Sequence, residues 1–328
     1  MTTNKYHVSL IRGRVTISYG SSYQILSNDQ EISAKLSGSL KHQSTSQSEL
    51  PVVGDWVKFQ LLPDNKGIIH SVDERFSKFS RKTAGNRSDE QIIATNIDWL
   101  FIVSSLNNDF NLRRIERYLV AGKQSGAKPI VILTKADLCP TIDLFLVPLY
   151  TLKTDIIVTS FDNEQGIQQI ADLLADGKTG ALVGSSGVGK STLVNRLMKA
   201  ETMHVSVIRE VDDRGRHTTT HRELLTLPTG GFLIDTPGMR EFQPFQEEQL
   251  DSQFEDIVQL SFKCRFRNCR HNREKDCAIK QAIDSGELSE NRYMNYLKLQ
   301  KELIFQEKRI REKEKLKNRR KKKIAHTN

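Results

Sequence analysis

Along the first seventy residues apolar and polar positions alternate in short runs, at 7–18, 23–26, 31–36, 55–62 and 67–72, separated by clusters of Gly, Asn, Asp and Ser. A period of two marks half-buried strands. Five such strands in so short a length predict a small β-barrel, with an OB-fold the first choice and an SH3-like barrel fitting the same letters. The Ser- and Gln-rich residues 39–48 are expected to form a mobile loop within it. Such a barrel serves either as a nucleic-acid-binding face or as a docking module, and this segment alone does not separate the two. Residues 75–91 are polar and basic, with Arg75, Lys78, Arg81, Lys82 and Arg87, and show no period. They are expected to be a linker, either solvated or touching phosphates.

From residue 92 the texture changes. Apolar runs at 98–103, 129–133, 155–158, 179–183 and 232–234 alternate with helical patterns at 112–124, 141–152, 165–174 and 191–200. Strands and helices in alternation predict a mostly parallel, doubly wound α/β sheet. Ligands of such sheets sit beyond the C-terminal ends of the strands, so the residues just after each strand are where chemistry is expected.

The strongest of these strand ends is Gly184-Ser185-Ser186-Gly187-Val188-Gly189-Lys190-Ser191, of the form G-x-x-x-x-G-K-[ST]. Its glycines allow a tight turn that aims several N–H groups at one anion, and Thr192 continues into a helix whose positive end faces the phosphates. Lys190 is expected to reach the β- and γ-phosphates and the Ser191 hydroxyl to hold Mg²⁺. After residues 129–133 comes Thr134-Lys135-Ala136-Asp137. The Asp137 carboxylate can accept from guanine N1–H and the exocyclic amine, a pair adenine does not offer, while the Lys135 stem covers the base plane. Standing alone, the tetrapeptide also reads as a plain helix start. Thr159 and Ser160 follow the next strand, with small side chains and N–H groups suited to the guanine O6. The polar stretch 212–220 contains His217, Thr218 and Thr219, and Thr219 is the expected sensor of Mg²⁺ and γ-phosphate. Asp235-Thr236-Pro237-Gly238 closes a strand: Asp235 can support Mg²⁺ through water, and the Gly238 N–H can meet the γ-phosphate. Met239 occupies the position where many GTPases carry a water-orienting Gln. A thioether cannot do this, so intrinsic turnover is expected to be slow, with His217 a candidate to position the water.

The formal charge of +9 changes the picture only at one end, because residues 301–328 hold 12 positive and 4 negative side chains. The body is close to neutral. A long helix is expected over 291–317, apolar on one stripe at first, then charged, and closing on Arg319-Arg320-Lys321-Lys322-Lys323. The functional reading is an rRNA-binding arm, and the alternative is a solvated helix end.

Four cysteines are present in all. Cys264, Cys269, His271 and Cys277 have the spacing C-x4-C-x-H-x5-C, and three thiolates with one imidazole make a closed tetrahedral Zn²⁺ site of structural type. Cys139 stands apart. No stretch resembles a signal peptide and no apolar run approaches the ~20 residues of a membrane span, so a cytoplasmic protein with no membrane association is expected.

The motifs run in the order TKAD, VTS, GSSGVGKS, RHTTT, DTPG. Ordinary small GTPases place the phosphate loop first, so this is a circular permutation of one site. With the barrel before it and the Cys/His cluster after it, the whole chain resembles the bacterial ribosome small-subunit-dependent GTPase A family. The resemblance implies a barrel over 1–74, a linker over 75–91, a circularly permuted P-loop GTPase domain over 92–245, a zinc-binding helical domain over 246–300 and a basic helical tail over 301–328. It also implies a cytoplasmic, monomeric GTP hydrolase with one structural Zn²⁺ and with Mg²⁺ bound alongside GTP. Its expected partners are the small (30S) ribosomal subunit late in maturation and 16S rRNA. A nucleotide-regulated RNA-binding factor, in which hydrolysis only resets binding, is the alternative. A P-loop metabolite kinase leaves Asp137, the cysteine cluster and the tail unexplained. Thr134 departs from the Asn that many GTPases carry there, which puts the tie between base-reading and phosphate loops in question. Because the 235–238 loop ends the GTPase domain, movement there is expected to pass directly into the domain that follows.

Overall fold

The computed structural model describes residues 9–44, 46–82, 90–107, 109–199, 222–236, 248–266, 269–272 and 274–325. Strands β1 (Ile11–Tyr19), β2 (Ser22–Ser27), β3 (Gln30–Leu36), β4 (Trp56–Leu62) and β5 (Lys66–Val72) form the N-terminal barrel. The pairings β1–β2, β2–β3, β3–β5, β5–β4 and β4–β1 close the ring, with β3–β5 the parallel pair. This is the five-stranded barrel expected, in the OB-like order. Its hairpins are set by residues that tolerate positive φ: Asn28 and Asp29 between β2 and β3, Asp64 and Asn65 between β4 and β5. Val15, Ile25, Val57, Phe59 and Ile69 fill the interior, each fully buried. The stretch read as a mobile loop instead starts with helix α1 (Gly38–Gln43), because the Ser37 hydroxyl accepts from the Leu40 N–H at 3.1 Å and caps it.

Residues 75–91 are not a plain linker. Strand β6 (Lys78–Lys82) lies there and pairs antiparallel with β7 (Glu90–Thr95). A five-residue strand with Phe79 as its single apolar anchor carries too few positions to display a period. Arg75, read as free to meet phosphates, instead grips both Asp55 oxygens at 2.8 and 2.7 Å and the carbonyls of Ser48 and Leu50.

The central sheet adds β8 (Trp99–Ser105), β9 (Lys128–Thr134), β10 (Asp155–Val158), β11 (Thr179–Val183), β12 (Glu223–Thr226) and β13 (Phe232–Asp235), in the order β10-β9-β8-β11-β13-β12. All neighbours are parallel except β12 against β13. Alternate residues feed two cores. Leu100, Ile102, Val131, Leu133, Ala181 and Val183 face α2 (Leu112–Ser125) and α3 (Asp143–Tyr150), whereas Phe101, Val103, Ile130, Ile132 and Leu182 face α4 (Gln165–Leu173) and α5 (Lys190–Leu197). This is the doubly wound, three-layer arrangement read from the alternation of runs.

Barrel and central sheet are continuous, because β12 also pairs with β1 at Glu223 and Ile17. Arg14 of β1 secures the joint. It is 4 % exposed and donates to the carbonyls of Gly54 and Asn96 and to the Thr179 Oγ1 at 2.8 Å, with the Trp56 and Phe232 rings against its guanidinium. Burial pulls it down to about 10, against the charges of Asp98 and Asp55, so it stays protonated at neutral pH.

The C-terminal part is helical: α6 (Glu248–Gln253), α7 (Glu255–Phe262), α8 (Ala278–Asp284) and α9 (Glu290–Ala325). Its core joins Leu250, Phe254, Ile257, Ile279, Leu299 and Leu303 to Val120 of α2. The boundary at 300/301 falls inside one helix, since α9 is unbroken and Leu303 is 1 % exposed. No helix among the described residues is long and apolar enough to cross a membrane.

Candidate functional site

The phosphate loop leaves β11 at Gly184 and enters α5 at Lys190. Gly184 has φ +150°, and a Cβ there would lie 2.3 Å from the Val103 carbonyl oxygen, so the close approach of β8 demands glycine. Gly187 and Gly189 also take positive φ. Ser185 and Val188 are buried, Ser186 is exposed, and Ser191 and Thr192 open α5. The Lys190 side chain is folded over the loop, with Nζ donating to the carbonyls of Gly184 at 3.0 Å and Ser185 at 2.8 Å.

Three neighbouring elements hold this loop. Thr134 at the end of β9 donates from Oγ1 to the Val188 carbonyl at 2.6 Å, and Lys135 donates from Nζ to the Gly187 carbonyl at 2.9 Å. The doubted tie between base-reading and phosphate loops is therefore made, by a hydroxyl. On the other side Arg114 of α2 donates to the Ser185 Oγ while paired with Asp109 at 3.0 Å. Arg114 was not found from sequence, since it lies seventy residues upstream and resembles any helix arginine. The one available signal was its place in the first turn of the helix that follows β8.

The residues expected to read the base come together from two loops. The Asp137 Oδ1 accepts from the Phe161 N–H at 3.0 Å, the Ala136 N–H bonds the Thr159 carbonyl at 3.3 Å, and Thr159 is buried with its Oγ1 on the Leu133 carbonyl. Arg196 of α5 reaches across to the Ser160 carbonyl at 2.5 Å and pairs with Glu164. A cavity of about 550 Å³ is lined by Ala136, Asp137 and Ile142 on one side and by residues of β10, the 160–163 loop and α4 on the other, and no phosphate-loop residue lines it. It is therefore distinct from the space over the phosphate loop.

Asp235 ends β13 directly beside Leu182 of β11, two residues before the loop, and Thr236 donates to the Leu182 carbonyl at 2.5 Å. The Asp235 carboxylate at the end of β13 and the Ser191 hydroxyl in the first turn of α5 are hard-oxygen donors of the kind that suits Mg²⁺. His217, Thr218, Thr219, Gly238 and Met239 lie outside the described residues.

The four predicted metal ligands come together. Their donor atoms all lie within 4.8 Å of one another, with the His271 Nδ1 3.5 Å from the Cys264 Sγ and 3.4 Å from the Cys277 Sγ, and those two sulfurs 4.0 Å apart. Tetrahedral bonds of about 2.3 Å to sulfur place sulfurs ~3.8 Å apart, so the cluster fits Zn²⁺. Desolvation, with a smaller contribution from the neighbouring Cys277 and Cys264 thiols, pushes the Cys269 thiol up to about 11, so its ionisation as a ligand calls for a cation. Desolvation lowers His271 and favours the neutral ring a metal needs.

Comparison with known proteins agrees with this geometry. Residues 72–245 match the RsgA GTPase family model and residues 12–69 the RsgA N-terminal domain model. The small ribosomal subunit biogenesis GTPase RsgA 2 of Lactiplantibacillus plantarum is 43% identical over 298 residues, 90% of this chain and 84% of that relative. RsgA of Opitutus terrae is 39% identical over 315 residues, 92% of this chain and 86% of that relative. The crystal structure of YloQ, a circularly permuted GTPase, superposes with a TM-score of 0.62 at 27% identity, covering 92% of this chain and 98% of that one. YjeQ from Thermotoga maritima gives 0.63 at 26% identity, covering 90% and 99%.

Proposed function

This chain belongs to the RsgA GTPase family, and from that premise we propose how its own residues bind and hydrolyse GTP. It is a GTP-hydrolysing enzyme of small ribosomal subunit biogenesis. Asp137 reads the guanine edge, and the N–H groups after Thr159 meet O6. Backbone N–H groups of residues 184–191 and the N-terminus of α5 bind the β-phosphate. Lys190 exchanges its two carbonyl partners for β- and γ-phosphate oxygens when nucleotide enters. Ser191 and Thr219 would hold Mg²⁺ with support from Asp235, and the ion would supply neutralisation of charge on the β/γ oxygens. Water attacks the γ-phosphate, the Gly238 N–H steadies the γ-oxygens, and His217 positions the water where Met239 cannot.

The remaining parts serve the partner. Cys264, Cys269, His271 and Cys277 would hold one structural Zn²⁺, which would tie together the C-terminal helices. The barrel and the basic end of α9 bind 16S rRNA, so that the monomeric, cytoplasmic enzyme docks on the 30S subunit and turns over there. The limits we assign are a barrel over 1–74, a GTPase domain over 92–245 and a helical domain from 246 that runs past Leu303 along α9 into the basic tail, with β6 paired to β7 of the GTPase domain.

The observation that carries the nucleotide reading is the pair of bonds from Thr134 and Lys135 to Val188 and Gly187, which joins a guanine-type acceptor, Asp137, to a phosphate loop. Binding of GDP, ADP and xanthosine diphosphate to the parent and to Asp137→Asn tests it. The parent should take GDP alone, and the variant should turn towards xanthosine diphosphate, whose 2-oxo group meets the new amide N–H. ADP binding as tightly as GDP would remove the guanine assignment.

A further inference from the structure

Phe161 has a place in the site that neither the motif order nor the family description assigns. Its side chain is 75 % exposed, among the most exposed large apolar groups of the described residues. Single exposed apolar side chains are ordinary. Three features set this one apart. Its own backbone N–H donates to the Asp137 Oδ1 at 3.0 Å, so the ring starts one residue's reach from the carboxylate that reads the base. Its loop is fastened to the helix of the phosphate loop, because Arg196 holds the preceding carbonyl, Ser160, at 2.5 Å and pairs with Glu164. The Arg196 guanidinium also lies 5.9 Å from the Phe161 ring centroid, a cation against the aromatic face that limits how the ring turns.

A purine held by its edge at Asp137 leaves two flat faces to cover. The Lys135 stem, anchored by its Nζ on the Gly187 carbonyl, is available for one. We propose that Phe161 stacks on the guanine plane as a base-binding residue, its ring moving from solvent to the purine face when nucleotide binds. This rests on the assignment of Asp137 as the guanine reader. Stacking is indifferent to the edge groups of the base, so Phe161 supplies affinity for any planar purine nucleotide while Asp137 supplies the choice among them. Since the base does not change during phosphoryl transfer, the contact is equal in ground and transition states. Its loss raises KM and leaves kcat unchanged.

The test uses the full chain with Phe161→Ala and Phe161→Trp, titrated with GDP and with inosine diphosphate, which lacks the exocyclic amine. Phe161→Ala should weaken both nucleotides by about tenfold with their ratio preserved. Phe161→Trp should bind like the parent, and its indole emission should fall on GDP addition beyond any change from Trp56 and Trp99 in the parent. Parent-like affinity in Phe161→Ala, a loss confined to GDP, or an indole indifferent to saturating GDP would each overturn the stacking role. A parent that fails to bind GDP would instead overturn the nucleotide assignment itself, and this inference with it.

Discussion

Arg292 of α9 donates from NH1 to the Oε1 of Glu116, a carboxylate on α2 that is 1 % exposed. The same guanidinium takes both Asp256 oxygens at 2.8 Å and the Gln253 carbonyl at 3.1 Å, and Asn295 supports the other Glu116 oxygen. Arg114, two residues before Glu116, is the group that holds Ser185 of the phosphate loop. One helix therefore touches the phosphate loop with its first turn and the C-terminal domain with the next, and Arg117 adds a pair to Glu302 at 3.1 Å. The sequence pointed to the 235–238 loop as the route between the two domains. Pro237 and Gly238 of that loop lie outside the described residues; among the described residues the contacts run through α2 and through Lys153, which pairs with Glu255 at 2.9 Å.

Breaking the buried pair should be costly. Glu116→Ala strands neither Asp256 nor Arg292 from each other but empties a buried polar site, and is expected to lower unfolding stability by about 3 kcal/mol in denaturant titration. Glu116→Gln should cost less, because its amide oxygen still accepts from Arg292 and Asn295 can turn its own amide to match.

A pH series separates the two variants further. Burial pushes the Glu116 carboxyl above its usual range, and Arg292 and Asn295 offset only part of that. Burial also opposes charge on Arg292, but the hydrogen bonds and charges of Asp256 and Glu116 more than compensate. A carboxyl raised in the folded state contributes stability that is complete below its unfolded pKa and is lost as pH rises through the folded value. The parent should therefore fall relative to Glu116→Gln as pH climbs from about 4 upward. A difference independent of pH would show that the carboxyl ionises freely in place.

Thr134→Ala removes the bond to the Val188 carbonyl and leaves that acceptor buried, a loss of about 1–2 kcal/mol in loop order. GDP affinity should drop about tenfold, and Thr134→Ser should keep most of it. Equal affinity in all three proteins would mean Lys135 alone holds the loops together.

The cysteine cluster should carry one zinc per chain by elemental analysis. Cys269→Ser, or chelation, is expected to cost several kcal/mol within the C-terminal core while GDP binding by the central sheet persists. Full retention of α7 to α9 without metal, read by hydrogen exchange, would count against a structural role.

Deleting 319–323 removes five basic residues from the end of α9. If they neutralise rRNA phosphates, the slope of log affinity for the subunit against log salt should flatten by roughly 3–4 units. An unchanged slope would place the electrostatic contact on the barrel or on the cysteine cluster.

What could be read from the chain follows from what each signal depends on. The barrel was legible because Asn28-Asp29 and Asp64-Asn65 mark hairpins and the strands between them alternate. The phosphate loop and the metal ligands were legible because their spacing is local and their chemistry is narrow. Strand β6 was not, since one buried Phe79 gives no period. Arg75 read as a linker cation and Arg114 drew no reading at all, because their partners, Asp55 and Ser185, lie 20 and 71 positions away, a distance that local patterning does not encode. Thr134 could not be judged from the comparison with Asn, because its bond to the Val188 carbonyl depends on how close β9 ends to the phosphate loop.

The central claim is a GTPase that works on the small ribosomal subunit, and phosphate release by the purified protein tests it most directly. GTP and ATP are each supplied with and without purified small subunits. The account predicts slow turnover of GTP alone, a sharp rise when subunits are added, and none with ATP. Turnover that ignores the subunit, or that proceeds equally with ATP, would contradict it.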